Sequence, residues 1–366
     1  MLSAGFAAAL TLGNLTLSFN ARNAQAATAP PPVAVGVSAL DPAAEALYLK
    51  ARGAESQLSY RGRLNTTYWR TGHTTSVILR HMAPNSLRID YVEPDSIRGR
   101  AVVVIAGNEW TYSPSDRSLT HRTFASHSLA ATAGLDLLTR NYILKVLPQP
   151  DTVIQRKTTI LEVLRRANHT VARKFWIDDV TGLILKREMV SEDGKLTVTI
   201  SYSDISFHPQ LTAANFDLSN VTKIKGVRQV DETKTNKSTV PVSQVTQPLP
   251  GSIYPPSAAG YRLVGSGSRQ INSRLTEEVH YSDGLELLSL FEQKRIKVTR
   301  ATRVPRVMTP VPINGKTAHF SRRNSLETII WDNGPLRLMV VGEANQDRML
   351  AFAIAVDQFV SKSTTK

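Results

Sequence analysis

The 366-residue chain contains no cysteine, and that absence removes several kinds of chemistry at once. No disulfide can staple a domain, no thiolate can bind a metal or act as a nucleophile, and no thiol can carry a lipid anchor, so a lipoprotein is not expected. Beyond the N-terminal stretch there is no run of eighteen or more apolar residues, so a membrane span in the mature protein is not expected either. Acid is scarce relative to base: 44 Lys and Arg against 30 Asp and Glu give a formal net charge of +14. Such a surface attracts nucleic acid, anionic lipid or acidic protein by the same Coulomb attraction.

Lys and Arg are also missing ahead of the first apolar run. Residues 4–17 are apolar or small, and Ala24-Gln25-Ala26 before Ala27 has the small-x-small form that a signal peptidase accepts. Residues 1–26 therefore read as a signal peptide without the usual positive n-region, followed by a Pro-rich spacer over 27–40. An exported protein rarely meets nucleic acid. The positive charge then points to anionic envelope lipid or an acidic protein segment, and the expected location is periplasmic or extracytoplasmic, with the processed protein soluble.

The remainder divides into two α+β units, 41–222 and 258–366, joined by a linker over 223–257 rich in Lys, Thr, Val, Ser and Pro. In the first, Asp41 and Pro42 open a helix, with Ala44, Leu47, Tyr48 and Ala51 at helical spacing. From Leu58 the period becomes two: Leu87, Ile89 and Tyr91 alternate with Arg88 and Asp90. Ala101 to Ala106 is nearly continuously apolar before a Gly107-Asn108 turn into Trp110 and Tyr112. A second helix is expected from about Ser128 to Val146, ending before Pro148, and Leu196, Val198, Ile200 and Tyr202 mark the greasy face of a late strand. The second unit shows short strand candidates at 261–264, 277–281, 285–291, 317–320, 328–331 and 336–341. After Gly342, Asn345 caps a helix whose apolar stripe is Met349, Phe352, Ala353, Val356, Phe359 and Val360.

No arrangement of residues carries catalysis. His121 and His127, six apart, suit neither one helical face nor a tight chelate, and Gly265-Ser266-Gly267-Ser268 lacks the strand, glycine loop and helix of a phosphate cradle. Neighbouring Asp178 and Asp179 would point to opposite faces of a strand, which favours turn capping over acid–base work. No catalytic residue, metal site or cofactor is expected.

The stretch FWIDDVTGLILKRE, Phe175 to Glu188, reads as one β-hairpin turning at Thr181-Gly182, with Leu183 and Leu185 set against Lys186 and Glu188. Together with LLTRNY (137–142), LTVTISYSDI (196–205) and FDLSN (216–220) it resembles the LolA-like antiparallel β half-barrel, with covering helices, of the MucB/RseB regulators and their outer-membrane lipoprotein-sorting relatives. The resemblance covers roughly residues 41–221. HYSDGLELLSLFEQ (280–293), with its Asp283-Gly284 turn, is similar to the start of the C-terminal sheet of MucB/RseB proteins, a domain that the simple carriers LolA and LolB lack.

In LolA-like folds a gap between sheet and helices holds acyl chains. The resemblance therefore implies a lipid-binding role for Tyr60, Trp69, Leu87, Ile89, Trp110, Tyr142, Phe175 and Leu183, all on segments expected to line one face of the sheet; plain core packing is the competing reading. In the second unit residues 294–306, KRIKVTRATRVPR, hold Lys294, Arg295, Lys297, Arg300, Arg303 and Arg306 with no acid. Such a run is either a solvated arm or a docking surface for an acidic partner or phosphate-bearing lipid, and Ser321-Arg322-Arg323 would extend it. By resemblance the function is an exported regulator that binds the extracytoplasmic part of a membrane-spanning anti-sigma factor and senses envelope lipid or lipoprotein. The alternative is a periplasmic lipid or lipoprotein carrier with no regulatory partner. A hydrolase is disfavoured for want of a nucleophile and base, and self-association is left open.

Overall fold

The computed structural model describes residues 41–123, 134–231, 253–271, 274–295, 308–323 and 326–364. They form two compact units, one of residues 41–122 and 139–231, the other of 123, 134–138 and 253–364.

The first unit opens with helix α1 (Pro42–Gln57), started as its sequence dictates: the Asp41 carboxylate accepts from the Ala43 N–H at 2.9 Å, and Pro42 needs no amide partner in the first turn. Ala44, Tyr48, Ala51 and Ala54 form its buried stripe. Strands β1 (Tyr60–Tyr68), β2 (His73–Met82), β3 (Ser86–Glu93), β4 (Ala101–Ile105), β5 (Asn108–Ser113) and β6 (Ser118–Thr123) follow as a meander. Helix α2 (Gly134–Asn141), whose residues 134–138 belong to the second unit, runs directly into β7 (Tyr142–Val146), followed by β8 (Asp151–Val153), β9 (Arg156–Arg165), β10 (Val171–Asp178), β11 (Ile184–Val190) and β12 (Leu196–Phe207). With β13 (Arg228–Asp231) at one edge, the sheet order is β13-β6-β5-β4-β3-β2-β1-β12-β11-β10-β9-β7, with β8 also on β9. It is open, ending at β13 and β7.

Two expectations fail here. Residues 142–146 are strand, not helix: they pair antiparallel with β9, and Tyr142 and Leu144 are buried while Ile143 between them is half-buried and Lys145 beyond them is exposed, a period of two that aromatic and β-branched residues favour. Just before the expected linker, residues 219–222 form one helical turn, α3 (Ser219–Thr222), and within that linker β13 (Arg228–Asp231) pairs in parallel with β6. Hydrogen bonding across to β6 gave these four residues a strand that their composition did not advertise.

The second unit is one antiparallel sheet, β14 (Ser257–Ala258), β15 (Tyr261–Ile271), β16 (Arg274–Ser282), β17 (Leu287–Lys294), β18 (Thr309–Ile313), β19 (Lys316–Arg323), β20 (Leu326–Asn333) and β21 (Leu336–Gly342), ordered β14-β15-β16-β17-β21-β20-β19-β18. Helix α4 (Gln346–Thr364) covers one face, where Met349, Phe352, Ala353, Val356 and Val360 meet Val279, Tyr281, Leu288, Leu290, Trp331, Leu338 and Val340. Residues 253–257, assigned to the linker from sequence, belong to this unit: Tyr254 is buried in its core, and the Tyr281 hydroxyl donates to the Pro255 carbonyl at 2.7 Å. The sequence reading missed β18 because of Pro310 and Pro312, which an edge strand tolerates.

The Asp283-Gly284 turn spans four residues, 283–286, rather than two. Asp283 Oδ1 accepts from the N–H groups of Leu285 and Glu286 at 2.9 and 2.7 Å, and Arg348 of α4 bonds both Asp283 Oδ2 and Glu286 Oε2 at 2.6 Å. Gly284 has φ +99°, and a Cβ there would lie 2.3 Å from the Leu138 nitrogen, so only glycine fits.

Candidate functional site: the inner face of the first sheet

Register assigns every side chain of the first sheet to one of two faces. Across β1, β2, β3 and β4, Tyr60 pairs with His81, His81 with Leu87 and Leu87 with Val104; one step along, Gly62 pairs with Leu79, Leu79 with Ile89 and Ile89 with Val102. In the other half, Leu64 pairs with Tyr202, Ile200 with Arg187, Arg187 with Phe175, Phe175 with Leu161 and Leu161 with Val146. These residues share the inner face, over which α1 lies. Tyr142, on the same parity as Leu144 and Val146, joins them, and Leu183 is buried just before β11.

The apolar floor carries a small polar centre. Glu55 of α1 pairs with Arg187 at 3.1 Å, both largely buried, and Lys50 donates to the Asp179 carbonyl at 2.9 Å; these tie the helix to the sheet. Tyr60 meets Tyr202 edge to face, ring centroids 6.2 Å apart at 84°, and sits 5.2 Å from the His81 ring. The His81 Nδ1–H donates to the Leu58 carbonyl at 2.7 Å, and burial lowers the ring's pKa to about 4, so His81 is neutral at physiological pH. Burial raises Tyr60 and Tyr202 above the ordinary phenol range. Gly62 makes room for this: a Cβ there would come within 2.5 Å of the Asp204 carbonyl and 2.8 Å of the Tyr202 ring. The buried Glu55 was legible as the polar member of the α1 stripe, whereas Arg187 and His81 became inner-face residues only through register.

Of the eight residues assigned to lipid binding from sequence, six come together on or beside this face: Tyr60, Leu87, Ile89, Tyr142, Phe175 and Leu183. Trp69 and Trp110 do not. Trp69 is 54 % exposed, and its indole N–H donates at 2.7 Å to Thr199 Oγ1, a side chain opposite Thr67 and Glu188 on the outer face. Trp110 pairs with Val103, whose neighbours along β4 alternate to the inner side. On the outer side Trp110 stacks on His121 (4.7 Å, 6°) and packs with Ala101, Val103, Leu119, Phe216 and Leu218. The continuous apolar run of β4 is thereby explained. Both of its faces are covered, the outer one by residues 211–227.

Other sequence candidates settle into structural work. Asp178 accepts from the Thr181 N–H at 2.9 Å and pairs with Arg156 at 2.7 Å; burial pushes its pKa up, and these bonds outweigh it and hold it low. His121 lies 3.4 Å from Asp231, and His127 is outside the described residues. Gly265 to Ser268 run along β15. In the basic segment, Lys294 is exposed at the end of β17 and Arg295 donates to the Gly334 carbonyl at 3.3 Å and lies 3.5 Å from Asp332. Lys297, Arg300, Arg303 and Arg306 lie outside the described residues. Arg322, read as an extension of the segment, is paired with Glu327. Among the described residues no group of three His, Cys, Asp or Glu is placed to hold a metal, and no helix is long and apolar enough to cross a membrane.

An open, mostly antiparallel sheet with a helix over an apolar inner face, followed by a second sheet backed by one helix, defines a two-domain α+β protein. Residues 43–220 match the MucB/RseB N-terminal domain family, and that part of the chain is of the MucB/RseB type. The structure is similar in fold to that of MucB in the Pseudomonas aeruginosa MucA/MucB complex (TM-score 0.58, 15 % identity, 86 % of this chain and 98 % of that one). It is likewise similar to MucB in complex with MucA(peri) (0.56, 16 %, 85 % and 97 %) and to MucB alone (0.53, 16 %, 86 % and 98 %). No curated protein matches the sequence.

Proposed function

We propose that this protein is an extracytoplasmic regulator that binds the periplasmic segment of a membrane-spanning anti-sigma factor and responds to envelope lipid or lipoprotein. The observation that carries the reading is the MucB/RseB N-terminal domain at 43–220 continuing into a second sheet domain, with a fold likeness that covers 86 % of this chain and includes MucB bound to MucA(peri). A carrier reading would leave that second domain without a task. Export by cleavage near Ala27 belongs to the same proposal.

Acyl binding would use the inner face. Tyr60, Leu87, Ile89, Tyr142, Phe175 and Leu183 are at most 6 % exposed, so a chain can enter only if that face opens, and each methylene then buried contributes about 0.8 kcal/mol. Pull-down from envelope extract tests the partner: recovery of a membrane protein encoded beside a sigma factor supports the regulator, and its absence together with recovery of a lipoprotein exporter moves the function to the carrier. A fluorescent acyl probe tests the face. Leu87→Trp should weaken binding and Trp110→Phe, on the opposite face, should not; the reverse result in folded variants removes the inner face from the mechanism.

A further inference from the structure

The outer face of β4–β6 is held down by residues 211–227, and the grip is uneven along that segment. Phe216 and Leu218 are buried among Ala101, Val103 and Leu119, with Leu211, Val221 and Val227 packed around them. Arg88 adds hydrogen bonds to the Asn215 and Asp217 carbonyls at 3.1 and 3.0 Å. The four residues that follow, β13, are different. Arg228 and Gln229 are exposed and Val230 and Asp231 only half-buried, so little apolar burial supports the strand. What positions it is its parallel ladder to β6, the Arg228 N–H donating to the Arg117 carbonyl at 2.8 Å, and Asp231 beside His121. His121 is itself fixed by Asn108 Oδ1 at 3.0 Å and the Trp110 stack.

A terminal strand of four residues with so little buried surface belongs to the least stable part of a sheet, and β6, the strand beneath it, presents a full edge of backbone groups once it leaves. Arg122 of β6 is already paired with Glu109, but Arg117 lies just before the strand and His121 on it, and the residue that β13 sets against His121 is an aspartate. We propose that the β6 edge is a docking site for an extended segment of a protein partner with an acidic residue at the place of Asp231, and that β13 occupies this edge in cis until the partner displaces it. The inference rests on the reading of the chain as a binder of an anti-sigma segment, and it names where that segment adds as a strand.

The absence of cysteine makes the test clean, since Thr120→Cys with Val230→Cys, a register pair, can form only one intramolecular disulfide. The probe is a fluorescein-labelled peptide of residues 226–233, GVRQVDET, which copies β13 itself. Against wild type it competes with a tethered strand at an effective concentration on the order of millimolar, so binding is weak. Val230→Pro, which cannot pair as β13 does, should tighten peptide binding at least about tenfold, whereas the oxidised double-cysteine protein should not bind and reduction should restore wild-type behaviour. Equal binding to the oxidised and reduced forms, or no gain with Val230→Pro, overturns the proposal. Amide exchange in the wild-type chain supplies a measurement free of mutation: residues 228–231 should exchange faster than 216–218, and equal protection overturns it too. A failed peptide test leaves the anti-sigma reading standing; a failed envelope pull-down by protein that binds the peptide removes that reading alone.

Discussion

Replacing Glu292 by Gln should stabilise the second unit at pH 8 and leave it nearly unchanged at pH 4. Glu292 on β17 faces Glu277 on β16, on the side of the sheet that carries Val279 and Leu290; Ser268 lies beyond Glu277, and Leu338 on the far side of Glu292. Lys294, two residues along β17, is exposed. Burial, and then the neighbouring charge of Glu277, raises the Glu292 carboxyl from 4.5 to about 7. The folded state therefore holds a proton that the unfolded chain releases between these values. Stability from this group is fully present below pH 4.5, declines as pH rises to 7 and is flat beyond. At about 1.4 kcal/mol per unit, the ionised carboxylate costs the folded state about 3 kcal/mol above pH 7. Gln carries no such charge, so the gain of the variant over wild type should grow by that amount from pH 4 to pH 8. The urea midpoint of the second unit, read from the buried Trp331 with Trp69, Trp110 and Trp176 replaced by Phe, measures it. A difference independent of pH would refute the reasoning.

Three further outcomes follow from other parts of the structure. Arg348→Ala leaves Asp283 and Glu286 buried without their shared cation and should cost the second unit about 3–5 kcal/mol, read from the same midpoint. Gly62→Ala drives a methyl against the Asp204 carbonyl and the Tyr202 ring and should destabilise the first unit by about 1–3 kcal/mol in thermal unfolding, with no effect on the second. Limited proteolysis should cut first between Asp231 and Ile253, where the sequence is rich in Lys, Thr, Ser, Val and Pro, and a first cut inside the Phe175 hairpin would contradict that boundary.

The local pieces of this protein were legible in its sequence because their causes are local. Asp41 and Pro42 start a helix wherever they stand before an amphipathic stretch, Thr181 and Gly182 turn a chain between alternating strands, and the stripe from Met349 to Val360 has to be covered. The placement of side chains was not legible in the same way. A period of two says which residues share a face of one strand, but not which face turns inward, and a register shift such as those beside Arg63 and Trp176 resets the count between neighbouring strands. Trp69 and Trp110 were assigned to the inner face for that reason, and lie on the outer one. Strand β13, the end of α2 at Asn141 and the sharing of Arg348 between Asp283 and Glu286 depend on partners 60 or more residues away, or on hydrogen bonds that any sequence can make, so only the assembled sheets decided them.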